Sequence, residues 1–254
     1  MLAVKVDAVM VAETATLPEG LRLYCIGDVH GRADLLAALL ECIDHHHAIE
    51  PIAAAQEIHL GDMIDRGPDS REVLNLLSRP APGRERILIQ GNHEQRMLDL
   101  LEGNASCEQW LYEGGYETMV SYGVPREVLR APINQAKAVA ELRLRMGDHV
   151  DLLQSAQLVH RVGDFVFVHA GIDPARALDE QIDHDLTTIR EPFLSHDGPL
   201  GFVVVHGHTP SARVTMRQHR IGVDTGAYAT GRLSCLVLER GRGLVFCVSQ
   251  HPLP

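Results

Sequence analysis

Three times between residues 21 and 94 the chain repeats one order of residue types: a short apolar run, a glycine-led turn dense in cation-binding side chains, and an amphipathic helix. Leu21 to Ile26 leads into Gly27-Asp28-Val29-His30-Gly31 and a helix expected over about Ala33 to Asp44, where leucines recur at helical spacing. Glu57 to Leu60 leads into Gly61-Asp62-Met63-Ile64-Asp65-Arg66-Gly67 and a helix near Asp69 to Leu77, with Pro68 suited to its start. Arg86 to Gln90 leads into Gly91-Asn92-His93-Glu94 and a helix near Gln95 to Leu101. Asp28, Asp62 and Asn92 lie 34 and 30 positions apart, about the length of a strand-helix-strand crossover. An α/β fold follows in which three parallel strands end side by side. Ligands of open α/β sheets bind beyond the carboxyl ends of the strands, so the three turns should converge on one site.

The remainder is read more coarsely. Residues 1–20 end in Leu17-Pro18-Glu19-Gly20 and look like an edge element or arm before the fold proper. Residues 107–153 are helical by pattern, broken at Gly114-Gly115, Gly123 to Pro125 and Pro132, and are expected to cap the site. Strands resume at Leu158 to Val162 and Phe165 to Val168 around a Gly163-Asp164 turn, then at Phe202 to Val205, Arg220 to Val223, Leu233 to Leu238 and Leu244 to Val248. Two further ligand-rich turns sit at strand ends, His169-Ala170-Gly171 and His206-Gly207-His208-Thr209. The whole chain, 1–254, reads as one catalytic domain with its motifs between about 21 and 248.

Composition bounds the partners. The net charge of −11 argues against nucleic acid. Leu2 to Leu17, interrupted by Lys5, Asp7 and Glu13, is too short and too charged to span a bilayer or to serve as a secretion signal, so the cytoplasm is the expected location. Five scattered cysteines without a C-x-x-C pair fit reduced thiols, not a disulfide framework.

Asp28, His30, Asp62, Asn92, His169 and His208 offer carboxylate, imidazole and amide donors, a set suited to Mn, Fe or Zn. Six donors exceed one open site. Two ions at roughly 3.5–4 Å need a shared carboxylate, and Asp62, on the middle turn, is the natural bridge. Any single turn of this kind could merely cap a helix. Five in order, all at strand ends, point to a metal site. His206 reads as a buried residue behind the ligands, and His45-His46-His47 as a solvated turn at a helix end, its charge placed well for the dipole.

GDVHG at Gly27 to Gly31, GDMIDRG at Gly61 to Gly67, GNHE at Gly91 to Glu94, HAG at His169 to Gly171 and GHTP at Gly207 to Pro210 resemble the metallophosphoesterases, in particular bacterial phosphoprotein phosphatases of the serine/threonine (PPP) type. The resemblance implies a four-layer fold, two mixed sheets packed face to face with helices outside. It also implies that Asp28, His30 and Asp62 hold one divalent ion and Asp62, Asn92, His169 and His208 the other, with Mn²⁺ expected and Fe or Zn as alternatives. By the same comparison His93 is the general acid, Asp65 the carboxylate that orients it, and Arg66 and Arg190 the phosphate-binding arginines. Thr188 stands where bacterial relatives often have Trp. The implied activity is hydrolysis of a phosphorylated protein by in-line attack of a hydroxide held between the ions. The alternatives are a symmetrical diadenosine tetraphosphate hydrolase and, remotely, a non-catalytic metal- or phosphopeptide-binding module. Ile64-Asp65-Arg66 and Asn92-His93-Glu94 favour the phosphatase, since the tetraphosphatase is expected to lack the aspartate and to read GNHD. The sequence leaves the oligomeric state open.

Overall fold

The computed structural model describes residues 2–9, 15–129 and 135–250. Six strands form one sheet in the order β1-β11-β10-β2-β3-β4: Ala3–Val9, Arg242–Ser249, Arg232–Glu239, Leu21–Ile26, Ala54–His59 and Glu85–Leu88. Five form the other, β5-β6-β7-β9-β8: His160–Val162, Phe165–Phe167, Val203–His206, Arg220–Gly222 and Thr215–Met216. Both sheets are mixed. β2, β3 and β4 run parallel, as the crossover spacing predicts, while β1, β11, β10 and β2 pair antiparallel.

β2 shows how the layers are made. It is apolar on both faces: Leu23 and Cys25 point into a core shared with Ile58, Phe165, Phe167, Val205 and Leu236, and Tyr24 and Ile26 into a core shared with the helices. A strand covered on both sides loses the polar alternation of a half-exposed one. The first core fills the space between the sheets. The second lies under α1 (Ala33–Ile49), α2 (Ser70–Ser78) and α3 (Asn92–Glu102), and a third, around Val166, Val204 and Phe193, covers the far face of the second sheet. Two sheets with helical cover outside them make four layers. No described helix is long and apolar enough to cross a membrane.

Several boundaries differ from the sequence reading for identifiable reasons. α1 continues through the triple histidine to Ile49, because His46 is buried: Tyr24 Oη lies 2.9 Å from its Nδ1 and Phe246 packs edge-on. Burial pushes His46 down, so of the three histidines only exposed His45 fits the solvated reading. α2 starts at Ser70, one residue past its cap, where the Asp69 carboxylate accepts from Glu72 N at 3.0 Å, and Pro68 precedes the cap. α3 starts at Asn92, so the third motif forms its first turn. Residues 107–154 are helical, as α4 (Cys107–Trp110), a π-helical turn (Leu111–Gly115), α5 (Tyr116–Ser121), α6 (Arg126–Leu129), α7 (Gln135–Met146) and α8 (Asp148–Gln154). They pack on α2 and α3, and among the described residues Trp110, Gly114 and Thr118 reach the site by hydrogen bonds. The break expected at Pro132 lies outside the described residues. β1 is the edge element expected of the first twenty residues.

Candidate metal centre

The ends of β2, β3 and β4 are tied together by main chain. Leu60 N donates to Ile26 O (2.9 Å), Ile89 N to His59 O (2.8 Å), and Val29 N and His30 N both donate to Asp62 O at 3.1 and 2.8 Å. From the second sheet, the turns after β6 and β7 bring His169 and His208, linked by Gly207 N to His169 O at 2.8 Å. The sheets meet where His208 N donates to the Asp28 carboxylate, 3.0 Å from Oδ2. All five sequence turns therefore reach one crevice. Five described non-glycine residues have left-handed φ, namely His30, Asp62, Asp65, Arg66 and His208. Each is a site residue, and such backbone costs of order 1 kcal/mol or more, held only by over-determined surroundings.

Glu94 supplies much of that determination. Its buried carboxylate accepts from Asp62 N and Met63 N at 2.8 Å, Gly91 N at 2.9 Å and Ile64 N at 3.3 Å, so one side chain clamps the second turn onto the third. Gly91 must lack a side chain, since a Cβ there would overlap the Asp62 carboxylate. Burial, with the charge of Asp62 behind it, pushes Glu94 up to about 7.

Two groups of donors lie close enough to hold an ion, His30-Asp62-His93 and Asp62-His169-His208, and Asp62 belongs to both. Its Oδ2 is 3.4 Å from His30 Nε2 and its Oδ1 is 3.3 Å from His169 Nε2. Asn92 Oδ1 is 3.1 Å from the same His169 nitrogen. The Nδ1 atoms of His30 and His169 face Ile64 O (2.9 Å) and Leu60 O (2.7 Å). Carbonyls accept from Nδ1–H and so aim the Nε2 lone pairs into the crevice. Burial lowers His30 and His208 to about 3, leaving neutral imidazoles at neutral pH, and His208 Nε2 is buried without a hydrogen-bond partner. Oxygen and imidazole donors around a shared carboxylate, with one orphaned ring nitrogen, fit divalent cations of the Mn, Fe or Zn kind. Asp28 lies outside both groups, and His208 N reaches both of its oxygens. It still borders the crevice, where burial and then Asp224 raise it.

Beside this centre, His93 Nδ1 is 2.8 Å from Asp65 Oδ2 and its Nε2 4.0 Å from Asp62 Oδ2. Burial works against protonation of His93, but Asp62 and Asp65 outweigh it and raise the pKa. Asp65 is fully buried and accepts from Trp110 Nε1 at 2.8 Å and Thr118 Oγ1 at 2.6 Å. Arg66 is exposed; its Nη1 donates to His30 Nε2 at 2.8 Å, its Cζ sits 5.0 Å from the Tyr228 ring centre, and its N donates to Gly114 O at 3.0 Å. Arg190 is exposed just after α9 (Asp183–Thr188), near enough for its charge to join burial and His169 in depressing His208. His206 is buried edge-on against Phe193, with Nδ1 3.0 Å from Gly207 O, and belongs to neither donor group.

The sequence reading did not find Trp110, Thr118, Tyr228 or the clamp made by Glu94. A signal existed for one of them, because Trp110 is the only tryptophan of the chain and precedes a Gly-Gly break.

The sequence pattern of the calcineurin-like phosphoesterases matches residues 21–243. A symmetrical bis(5'-nucleosyl)-tetraphosphatase of Dechloromonas aromatica is 32% identical over 152 residues, 59% of this chain and 44% of that protein, so the chain matches less than half the length of that relative. The asymmetrical bis(5'-nucleosyl)-tetraphosphatase PrpE of Halalkalibacterium halodurans is 24% identical over 83% of this chain and 87% of its own. Serine/threonine-protein phosphatase 1 of Salmonella typhimurium is 28% identical over 84% and 89%. Among solved structures, one described as a candidate diadenosine tetraphosphatase superposes with a TM-score of 0.63 at 22% identity, covering 91% of this chain and 97% of that one, a likeness of fold.

Proposed function

From the premise that this chain belongs to the calcineurin-like phosphoesterases, we propose that it hydrolyses phosphate monoesters at a two-ion centre, with a phosphorylated serine or threonine of a protein as substrate. The observation that carries this reading is the buried His93-Asp65 pair. A serine or threonine alkoxide is a strongly basic leaving group and needs a proton as it departs, whereas a nucleoside diphosphate departs as a stable anion. A fully buried carboxylate with three donors, fixing a histidine whose pKa it raises, is the apparatus for the harder of the two departures.

Asp28, His30 and Asp62 would hold one cation, and Asp62, Asn92, His169 and His208 the other. When bound, the ions supply a nucleophile at neutral pH and positive charge for the phosphoryl oxygens. Arg66 offers a planar fork for two phosphoryl oxygens, held by the Tyr228 ring and by Gly114, and Arg190 approaches from the His208 side. His93, protonated on both nitrogens, would present Nε2–H to the departing oxygen, while Asp65 accepts from Nδ1–H and so fixes the ring's orientation and which proton leaves. Trp110 and Thr118 hold Asp65 in turn.

A second reading, hydrolysis of a dinucleoside tetraphosphate, is the one that the tetraphosphatase relatives favour, at 32% identity for the symmetrical enzyme and over most of both chains for PrpE. One experiment separates them. Phosphate release from a phosphoserine peptide and nucleotide release from diadenosine tetraphosphate are measured side by side with Mn²⁺ on purified protein. Faster turnover of the peptide supports the phosphatase reading, and preference for the dinucleotide replaces it with the second. Activity on neither substrate sinks both.

A further inference from the structure

The outer edge of the six-stranded sheet is β1, and among the described residues no strand pairs with that edge. Exposed sheet edges are ordinarily blunted by a proline, a bulge, very short length or charged side chains. β1 has none of the first three, for seven residues run in unbroken register along β11, from Ala3 opposite Ser249 to Val9 opposite Gly243, and its two charges, Lys5 and Asp7, are of opposite sign. One face of the strand is apolar and open. Val4 and Val6 are 50% and 56% exposed, and with Ile49 (61%), Cys42, Leu244 and Phe246 they line a groove of about 470 Å³ between β1 and the end of α1. The other face carries Lys5 and Asp7, exposed and 3.3 Å apart.

We propose that this edge pairs antiparallel with β1 of a second copy, about a two-fold axis through Val6. Charge favours that register over its two neighbours. With Val6 on the axis, Lys5 stands opposite Asp7 of the second chain and Asp7 opposite its Lys5, while Val4 meets Ala8 and the valines gather on one face. Moving the axis to Lys5 or to Asp7 sets like charges opposite each other, which is destabilising in a sheet. The axis is perpendicular to the sheet, so both α1 grooves lie on the same side and close over one apolar seam. The paired sheet has twelve strands, six from each copy.

Because each substitution acts twice across a two-fold, charge variants test the register without touching the core or the crevice. Sedimentation velocity through the micromolar range should give a dimer for the unaltered chain. Lys5→Glu and Asp7→Lys should each weaken it roughly tenfold or more. Mixed together, the two variants regain both opposite-charge pairs and should form a heterodimer as strong as the original. Val6→Cys should be trapped as a disulfide-linked dimer under mild oxidation faster than Val4→Cys, whose two thiols are off the axis. Far-ultraviolet circular dichroism should be unchanged throughout. A chain that is monomeric across the range, a dimer indifferent to both charge reversals, or variants that fail to rescue each other would overturn the proposal.

Discussion

Replacing Asp65 by asparagine probes the acid pair with almost no change of volume. In the parent protein all three partners of the carboxylate donate: His93 Nδ1, Trp110 Nε1 and Thr118 Oγ1, at 2.8, 2.8 and 2.6 Å. An asparagine can turn its oxygen to Trp110 and His93 only with its amide toward Thr118, whose hydroxyl must then accept and give its own hydrogen to Ser70 Oγ, 2.8 Å away. Neutral hydrogen bonds then replace charge-assisted ones in a buried site, at a cost of about 1–3 kcal/mol, so the variant folds with a lowered melting temperature. Loss of the charge also removes one of the influences that keep His93 protonated, since burial alone lowers that histidine and Asp62 and Asp65 raise it. His93 then keeps only the pull of Asp62 toward protonation, and its ring is no longer held by a charged acceptor. General acid catalysis contributes about 10²–10⁴-fold, and turnover of a phosphoserine peptide should fall by that factor. The fall should be at most about tenfold with p-nitrophenyl phosphate, whose leaving group departs without a proton. The assay is kcat and KM for both substrates at saturating Mn²⁺, with His93→Asn in parallel. Equal losses on the two substrates, or a peptide rate within a few-fold of the parent, would refute the assignment of His93 and Asp65.

Three further outcomes follow from the same geometry. Glu94→Gln leaves at least one of four backbone donors poorly paired and loosens the clamp between two turns, so thermal stability should drop by about 1–3 kcal/mol and Mn²⁺ affinity should weaken, read by calorimetry. Gly114→Ala places a Cβ 2.8 Å from Arg66 N at a φ of +121°, and should raise KM for phosphate esters more than it lowers the melting temperature. Glu57 is wholly buried; desolvation works to raise its pKa, but the hydrogen bond from His59 and the charges of His59 and Arg86 overcome it and hold the carboxyl well below the usual range. A depressed carboxylate stabilises the fold above its unfolded pKa, near 4.5, and that contribution drains away as pH falls from there toward the folded value. Glu57→Gln should therefore cost about 3–5 kcal/mol at neutral pH, where Arg86 loses its carboxylate and Arg84 keeps only that of Asp44, and flatten the acid limb of the stability curve in urea titrations.

The parts of the fold legible in the sequence are those where local pattern and tertiary demand coincide. β2, β3 and β4 announce themselves because an apolar run ends at a glycine whose neighbours are metal-type donors, and few other structures require that combination. The crevice followed from the crossover spacing. What stayed hidden depends on partners distant in the chain. Trp110 and Thr118 meet Asp65 from 45 and 53 positions away, and neither stands in a motif. Glu94 was visible as a letter of the third motif, but its clamp on Asp62, Met63 and Ile64 acts across two turns. His46 looked solvated because its burial comes from Tyr24 and Phe246, on two strands that a helix-end reading does not consult. The packing of residues 107–154 on α2 and α3 was hidden similarly, for helical pattern gives a segment's conformation and not the surface on which it packs.

The account turns on two cations sharing Asp62. The most direct test is calorimetric titration of chelator-stripped protein with Mn²⁺, followed by phosphate release at each point of the titration. Two ions per chain are predicted, with hydrolysis appearing only as the second binds and vanishing in Asp62→Asn. Binding of a single ion, or hydrolysis that survives stripping or the loss of the shared carboxylate, would contradict the two-ion centre.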